Sequence, residues 1–185
     1  MIAFVVYQVI ELRISQHAVA RNLENLFDLS VCVDTVNSIK SRSAKDHETT
    51  YQAILERLRA GSLIHADETK VTIDATDRYV WVFTNLEEVA FVYGETREGK
   101  TPQEVLRHFC GVLVSDFHTA YDSLDCPQQK CLIHLMRDIN DDLRKEAFNE
   151  EMKLIAYSFA GLLKPIVETV DQFGLKARHL HKHRR

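Results

Sequence analysis

The chain has 185 residues, of which 45% are hydrophobic and 27% are charged. This composition is typical of a globular protein with a packed core, and it excludes a disordered or collagen-like chain. The formal net charge of -4 argues against nucleic-acid binding over the whole surface, because a polyanion needs positive potential. The charge is uneven, however, since residues 176–185 read KARHLHKHRR and form a basic tail without an acid. This tail is either an arm that contacts phosphates or a frayed end.

The apolar opening MIAFVVYQVI does not have the features of an export signal. It lacks a basic leading segment, it is too short to span a bilayer, and Glu11 and Arg13 follow it at once. Four cysteines in a chain without an export signal are expected to be reduced thiols. We therefore expect a cytoplasmic protein without a membrane partner.

The first third of the chain is predicted to be helical. Ser15 is a suitable N-cap for a helix through SQHAVARNLENLF, whose apolar residues fall on one face. A turn at residues 29–33 then precedes a second short helix, for which Asp34 is the expected cap. This outline is that of a helix-turn-helix unit, which either reads DNA or belongs to an ordinary small bundle. A third helix is expected to begin at Asp46 and to end at Gly61.

Short strands are predicted to follow, because the hydrophobic period changes to two. The runs LIHAD, VTID, YVWVFT and VAFVY are rich in β-branched and aromatic residues. The stretch ATDR, with Asp77, suits a tight turn between the second and third runs. These runs predict a three-stranded antiparallel meander, in which Trp81 is a core residue.

Helices and strands then alternate in the rest of the chain. Thr101 is the expected cap of a helix through TPQEVLRHF, with Glu104 completing a capping box. The strand VLVSD, a short helix in HTAYDSL and the strand KCLIH follow. The last helices are predicted in LMRDINDDLRKEAF and in EMKLIAYSFAGLLKPIVETVDQF, with a kink at Pro165.

Two of the predicted strands end on aspartate, the first on Asp67 and the fourth on Asp116. In a mixed sheet of this strand order the first and fourth strands can lie side by side, which would bring the two carboxylates together. Such carboxylates repel each other unless a cation lies between them. Mg²⁺ suits this position because it takes hard oxygen ligands and keeps water and phosphate in its other positions. The alternative is that both are loop residues that happen to follow strands.

Several segments together resemble the catalytic region of the insertion-sequence-66 family of bacterial transposases: LIHADETK, YVWVFT, GVLVSDFHTAYDSL and CLIHLMRDI. The upstream segment RISQHAVARNLENLFDLSV is similar to the helix-turn-helix-like part of that family. The resemblance implies an RNase H-like fold with an Asp, Asp, Glu metal triad, the DDE class. Asp67 and Asp116 match the first two acids, and Cys131 and His134 match a Cys-x-x-His pair of the family.

The third acid of this triad is not identifiable in the sequence. In the family the Glu lies beyond an inserted helical region, and the helices at 135–173 look like the first part of that insertion. We therefore expect an internal, truncated piece of a transposase. Glu151 stands at a separation from Asp116 that is familiar from integrase-type members of the wider class, so it is an alternative ligand. The other interpretation of Glu151 is a solvated helix face.

Other polar residues near the two acids have more than one interpretation. His65 shares a strand face with Asp67 and either approaches the metal or contacts a neighbour. Glu68 would point away from Asp67 if the strand continued, and would then support a metal ligand without contacting the metal itself. Cys131 and His134 either pack beside the active face or, with Cys126 and His118, bind zinc. Arg137 is a candidate contact to a DNA phosphate.

The predicted fold class is α/β. We expect an RNase H-like mixed sheet, with three antiparallel strands and then parallel strands, a small helical N-terminal part and a partial C-terminal helical insertion. The corresponding boundaries are residues 1–60 for the helix-turn-helix-like segment, 61–134 for the catalytic core and 135–185 for the insertion and basic tail.

The expected function is DNA transposition by metal-dependent cleavage and transfer of strands at transposon ends, with Mg²⁺ or Mn²⁺ held by Asp67 and Asp116. We expect this activity to be impaired because the third ligand is missing. The alternative is a non-catalytic DNA-binding fragment that competes with a full-length transposase, co-assembles with it or self-associates. A third possibility is a translated relic without a selected role.

Overall fold

A computed structural model of the chain describes residues 1–183. Arg184 and Arg185, the last two residues of the predicted basic tail, lie outside the described residues. Two compact units are present: the first comprises Met1–Leu113 and Thr119–Gln128, and the second comprises Val114–His118 together with residues 129–183. Within residues 1–183, no helix is long and apolar enough to cross a membrane.

The elements follow each other in the predicted order of helices, then sheet, then helices. The α-helices are α1 (Ile2–Val6), α2 (Gln16–Phe27), α3 (Val33–Asp46), α4 (Glu48–Ala60), α5 (Lys100–Val105), α6 (Leu132–Lys145), α7 (Glu150–Phe173) and α8 (Ala177–Leu180). The strands are β1 (Leu63–Ile73), β2 (Thr76–Thr84), β3 (Val89–Gly94), β4 (Val112–Ser115) and β5 (Gln128–Lys130). A π-helical turn at Tyr7–Glu11 and 3-10 turns at Thr119–Tyr121 and His181–His183 complete the described elements.

The N-terminal helices pack around a small apolar core of their own, formed by Val5, Val19, Leu23 and Val36. The Ser15 cap is confirmed, because its side-chain oxygen accepts a hydrogen bond from the amide of Ala18. This bond satisfies one of the amide groups that the first turn of a helix leaves without a partner.

The predicted caps at Asp34 and Asp46 are wrong. Cys32 is the N-cap of α3, and Asp34 lies in its first turn, where a carboxylate still interacts favourably with the positive helix end. The segment after Ile39 contains no glycine or proline, so α3 continues to Asp46, and His47 precedes α4.

The predicted α/β class with a mixed sheet is confirmed, and the strands lie in the order β3-β2-β1-β4-β5. β1, β2 and β3 form the predicted antiparallel meander. On its other side β1 neighbours β4, which begins where the amide of Val112 donates to the carbonyl of Ser62 at 2.9 Å.

β5 runs parallel to β4, as two hydrogen bonds between them show. The amide of Leu113 donates to the carbonyl of Pro127, and the amide of Cys131 donates to the carbonyl of Ser115. The residue numbers rise along both strands from the first bond to the second, so the two strands are parallel.

The first predicted strand is longer than the sequence indicates. LIHAD and VTID are not separate strands, because β1 passes through both and pairs with β2 from His65 to Ile73. Asp74 and Ala75, with φ of 50° and 56°, form the two-residue turn, and this left-handed geometry matches the twist of a hairpin. Asp77, predicted in a turn, instead pairs with Thr72 inside the ladder. Asp67 is therefore in mid-strand, and the prediction that a strand ends on it is wrong.

The predicted strand KCLIH is also wrong. β5 ends at Lys130, Cys131 is the N-cap of α6, and the next residues form the first turn of that helix. The physical reason is that apolar residues recur at helical spacing from Leu132 through Met136 and Ile139. A short apolar run such as CLI is compatible with either period, and here the longer helical period prevails.

The helix before β4 begins earlier than predicted. α5 starts at Lys100 after its N-cap Gly99, so Thr101 is not the cap and Pro102 is the third residue of the helix instead of the first. Glu104 lies 4.0 Å from the ammonium group of Lys100 instead of closing a capping box.

The main apolar core of the first unit surrounds Trp81, which is fully buried as predicted. The ring of Tyr121 meets Trp81 edge-on, with 5.8 Å between the ring centroids. Ile64, Phe83 and Leu113 are also fully buried in this cluster. The core therefore fixes β1, β2 and the segment that carries Tyr121 in one arrangement.

The hairpin turn gives a test of the extended β1. Ala75→Gly removes the cost of a left-handed conformation at an L residue, so the free energy of unfolding should rise by about 0.5–1 kcal/mol. Urea denaturation measures this change. The matched control is Ala44→Gly at an exposed position of α3, which should lower the free energy of unfolding by up to about 1 kcal/mol. A destabilised Ala75→Gly variant would contradict the observed turn.

Candidate functional site

Asp67 lies in mid-strand on β1, opposite Val82, and is exposed. Its Oδ1 accepts a hydrogen bond from the amide of Glu68 at 2.9 Å. His65, two residues earlier, is half-buried and pairs with Thr84. Because side chains alternate along a strand, His65 and Asp67 share one face of β1.

Glu68 lies on the opposite face, across from Trp81. Its side chain is only 2% exposed. Arg97 donates to Oε1 from Nε at 2.7 Å and from Nη2 at 2.5 Å, and the hydroxyl of Tyr121 donates to Oε2 at 3.0 Å. A desolvated carboxylate is stable only with such partners, so the Glu68 side chain is committed to them.

Sequence reasoning did not find Arg97 or Tyr121 as partners of Glu68. They stand 29 and 53 residues from it along the chain. The only indication for Tyr121 in the sequence is that it belongs to the segment HTAY, which closely follows Asp116. Arg97 had none, because it lies in an irregular loop between β3 and α5.

Asp116 follows β4 directly, as the sequence predicts, and is half-buried. Its Oδ1 accepts a hydrogen bond from the amide of His118 at 2.9 Å. A carboxylate that bonds the backbone two residues ahead forms an Asx-type turn. The turn holds the Asp116 side chain against its own backbone at the end of the strand.

Cys131 is the N-cap of α6 and His134 lies in its first turn, where the sulfur and the imidazole interact. Burial opposes ionisation of the Cys131 thiol, but hydrogen bonds from the backbone and side chain of His134 outweigh it and lower the thiol pKa. The pKa of the Cys126 thiol is raised instead, first by burial and then by the charges of Asp125 and Cys110. The two thiols therefore have different chemical environments.

Within residues 1–183, no group of three or more His, Cys, Asp or Glu side chains is arranged to hold a metal ion. The four residues of the zinc interpretation, Cys126, Cys131, His118 and His134, form no such group among these residues. Glu151 is exposed in the first turn of α7, after the N-cap Asn149. Arg137 is exposed on α6.

A model of the IS66 family of transposases matches residues 1–182 of this sequence. The chain belongs to the IS66 family of transposases. Its general role is therefore DNA transposition, and the predicted resemblance to this family is confirmed. No curated protein sequence matches the chain.

One solved structure that resembles this transposase-family chain is the HTLV-2 integrase catalytic core domain in complex with magnesium, in its trimeric form. The two chains are 11% identical with a TM-score of 0.31, and the match covers 52% of this chain and 82% of the integrase chain.

The residues of this family member fit a hard divalent ion in kind. Asp67 and Asp116 supply carboxylate oxygens, which are the ligands that Mg²⁺ prefers, and Asp67 is exposed. Mg²⁺ bound by one or two carboxylates keeps its remaining positions for water and phosphate.

The contact between Tyr121 and Glu68 predicts a measurable contribution to stability. Tyr121→Phe removes a hydrogen bond to a buried charged group and should lower the free energy of unfolding by about 1.5–3 kcal/mol. Urea denaturation provides the measurement. Tyr157→Phe on α7 is the matched control, because Tyr157 is 76% exposed and its change should stay within about 0.5 kcal/mol. Equal effects of the two substitutions would contradict the bond to Glu68.

Proposed function

We propose that Asp67 and Asp116 bind Mg²⁺ or Mn²⁺ and that this site cuts and joins DNA strands at transposon ends. The family membership supports DNA as the substrate. Each acid belongs to a strand region of its own unit: Asp67 lies within β1 and Asp116 directly follows β4.

The surroundings of each acid are consistent with a ligand role. Asp67 is exposed and accepts one backbone hydrogen bond, which fixes the direction of its carboxylate. The Asx turn does the same for Asp116. When bound, the ion would activate water or a 3′ hydroxyl and stabilise the leaving oxygen of the phosphodiester.

We further propose that the chain has little strand-transfer activity by itself. Within residues 1–183, no group of three or more His, Cys, Asp or Glu side chains is arranged to hold a metal ion. Glu151 is the alternative for the third ligand, and its exposed position in the first turn of α7 leaves its carboxylate in contact with solvent. Glu68 is held by Arg97 and Tyr121, so we assign it no place among the ligands.

Metal binding is the first test. Isothermal titration calorimetry of the purified chain with Mn²⁺ should show one class of binding site. Asp67→Asn or Asp116→Asn should lower the Mn²⁺ affinity at least about tenfold, because even residues that only contact a metal ligand change the affinity on that scale. Asp77→Asn is the matched control, because Asp77 is an exposed acid on the same hairpin, paired with Lys70. Mn²⁺ affinity that neither variant changes would overturn the proposed site.

Strand transfer is the second test. The chain, incubated with Mg²⁺ and a duplex carrying the transposon end, should give strand-transfer product close to the background without protein. Electrophoresis of labelled DNA measures it. Robust Mg²⁺-dependent product that Asp116→Ala abolishes would refute the proposed impairment while supporting the acids as ligands.

A non-catalytic DNA-binding role is the second candidate function, and the surface of α3 favours it. Val36 is fully buried in the N-terminal core and anchors one face of this helix. The opposite face is exposed and carries small hydrogen-bonding and basic side chains: Asn37, Ser38, Ser41, Arg42 and Lys45. Such side chains contact phosphates and base edges when a helix enters the major groove.

DNA affinity distinguishes the two candidates. If the chain only binds DNA, its salt-sensitive DNA affinity should be unchanged by Asp67→Ala. The double variant Arg42→Ala, Lys45→Ala should reduce the slope of log affinity against log salt concentration by about two, because two phosphate contacts are lost. Fluorescence anisotropy of labelled duplex at several salt concentrations measures the slope. Lys153→Ala with Lys164→Ala on α7 makes the same change in charge and should leave the slope unaltered. Equal slopes for both double variants would contradict a role for α3.

A further inference from the structure

Glu68 connects the buried interior of the first unit to the exposed carboxylate of Asp67. Its side chain is held inside by Arg97 and Tyr121, and its own amide donates to Asp67 Oδ1 at 2.9 Å. Glu68 is thus held at two places: its side chain is bound in the core, and its backbone amide is bound to the proposed ligand Asp67. No other backbone donor to Asp67 is among the bonds that the structure shows within residues 1–183.

We propose that Glu68 is a positioning residue, which sets the direction of the Asp67 carboxylate through its amide. This inference rests on the proposed metal-binding role of Asp67. It goes further by assigning Arg97 and Tyr121 to the same task, since they hold the Glu68 side chain. Residues behind a metal ligand commonly orient it in this way, and their substitution costs about 10–100-fold in metal affinity.

The burial of the carboxylate explains why the connection is rigid. A 2%-exposed carboxylate cannot exchange its partners for water, so Glu68 has one stable side-chain arrangement. Tyr121 is itself fully buried and packed edge-on against Trp81, which prevents its hydroxyl from moving away. Rotation of the β1 backbone at Glu68 would break both contacts, so the direction of its amide is fixed as well.

Arg57 offers a matched control in the same unit. It bonds Glu88 as Arg97 bonds Glu68, from Nε at 2.6 Å and from Nη2 at 2.5 Å. Glu88 is more exposed, at 25% of its side chain, and the pair has no contact with Asp67 among the described bonds of residues 1–183. Arg57→Ala therefore removes an equivalent ion pair without disturbing the proposed connection.

The experiment compares Mn²⁺ affinity in the full chain and in four variants, each confirmed as folded by its thermal unfolding. Arg97→Ala and Tyr121→Phe should weaken Mn²⁺ binding about tenfold or more, whereas Arg57→Ala should change it less than about twofold. Arg97→Lys, which keeps the charge, should recover part of the affinity lost in Arg97→Ala. Variants that lower the unfolding temperature but leave Mn²⁺ affinity within about twofold would overturn the inference and show a purely structural cluster.

Hydrogen exchange at the Glu68 amide gives a readout that needs no metal. The amide should exchange at least about tenfold faster in Arg97→Ala and Tyr121→Phe than in the unsubstituted chain or in Arg57→Ala, because protection depends on the local opening free energy. If the unsubstituted chain binds no Mn²⁺, the proposed metal site fails, and the exchange data alone decide the inference. Unchanged exchange at Glu68 in both variants would overturn it, whatever the metal data show.

Discussion

The alternation of side chains along β1 is the constraint on which the proposed site depends. Because β1 pairs with β2 without interruption from His65 to Ile73, consecutive residues must face opposite sides of the sheet. Asp67 is therefore exposed, and Glu68 is buried and must find partners for its charge. Arg97 and Tyr121 provide them, so two neighbouring acids acquire unrelated roles. A register slip of one residue would exchange those roles and leave a charge in the core without its partners.

Periodicity and capping chemistry predicted most of the local structure, and long-range contacts account for what they missed. The β-branched and aromatic runs predicted the meander, and Ser15 and Gly61 predicted helix ends. The polar run DETK concealed the continuity of β1, because strand pairing with β2 outweighs the low strand propensity of Asp and Glu.

Within the candidate site, the sequence predicted the place of Asp116 at the end of β4. It predicted that Glu68 would face away from Asp67 only on the condition that the strand continued. The partners of Glu68 could not be predicted, since the fold alone brings Arg97 and Tyr121 to it. The domain boundaries and the ligand roles of Asp67, Asp116 and Glu151 stay predictions.

The central claim is that one metal ion contacts both Asp67 and Asp116, and localised oxidation measures it most directly. Fe²⁺ bound in place of Mg²⁺, supplied with ascorbate and peroxide, generates hydroxyl radicals that cleave nearby backbone, and mass spectrometry identifies the cut sites. The account predicts cleavage in mid-β1 around Asp67 and after β4 around Asp116, with both cuts suppressed by excess Mg²⁺ and by Asp67→Asn. Cleavage at only one of the two segments, or cleavage that Asp67→Asn leaves unchanged, would contradict a shared ion.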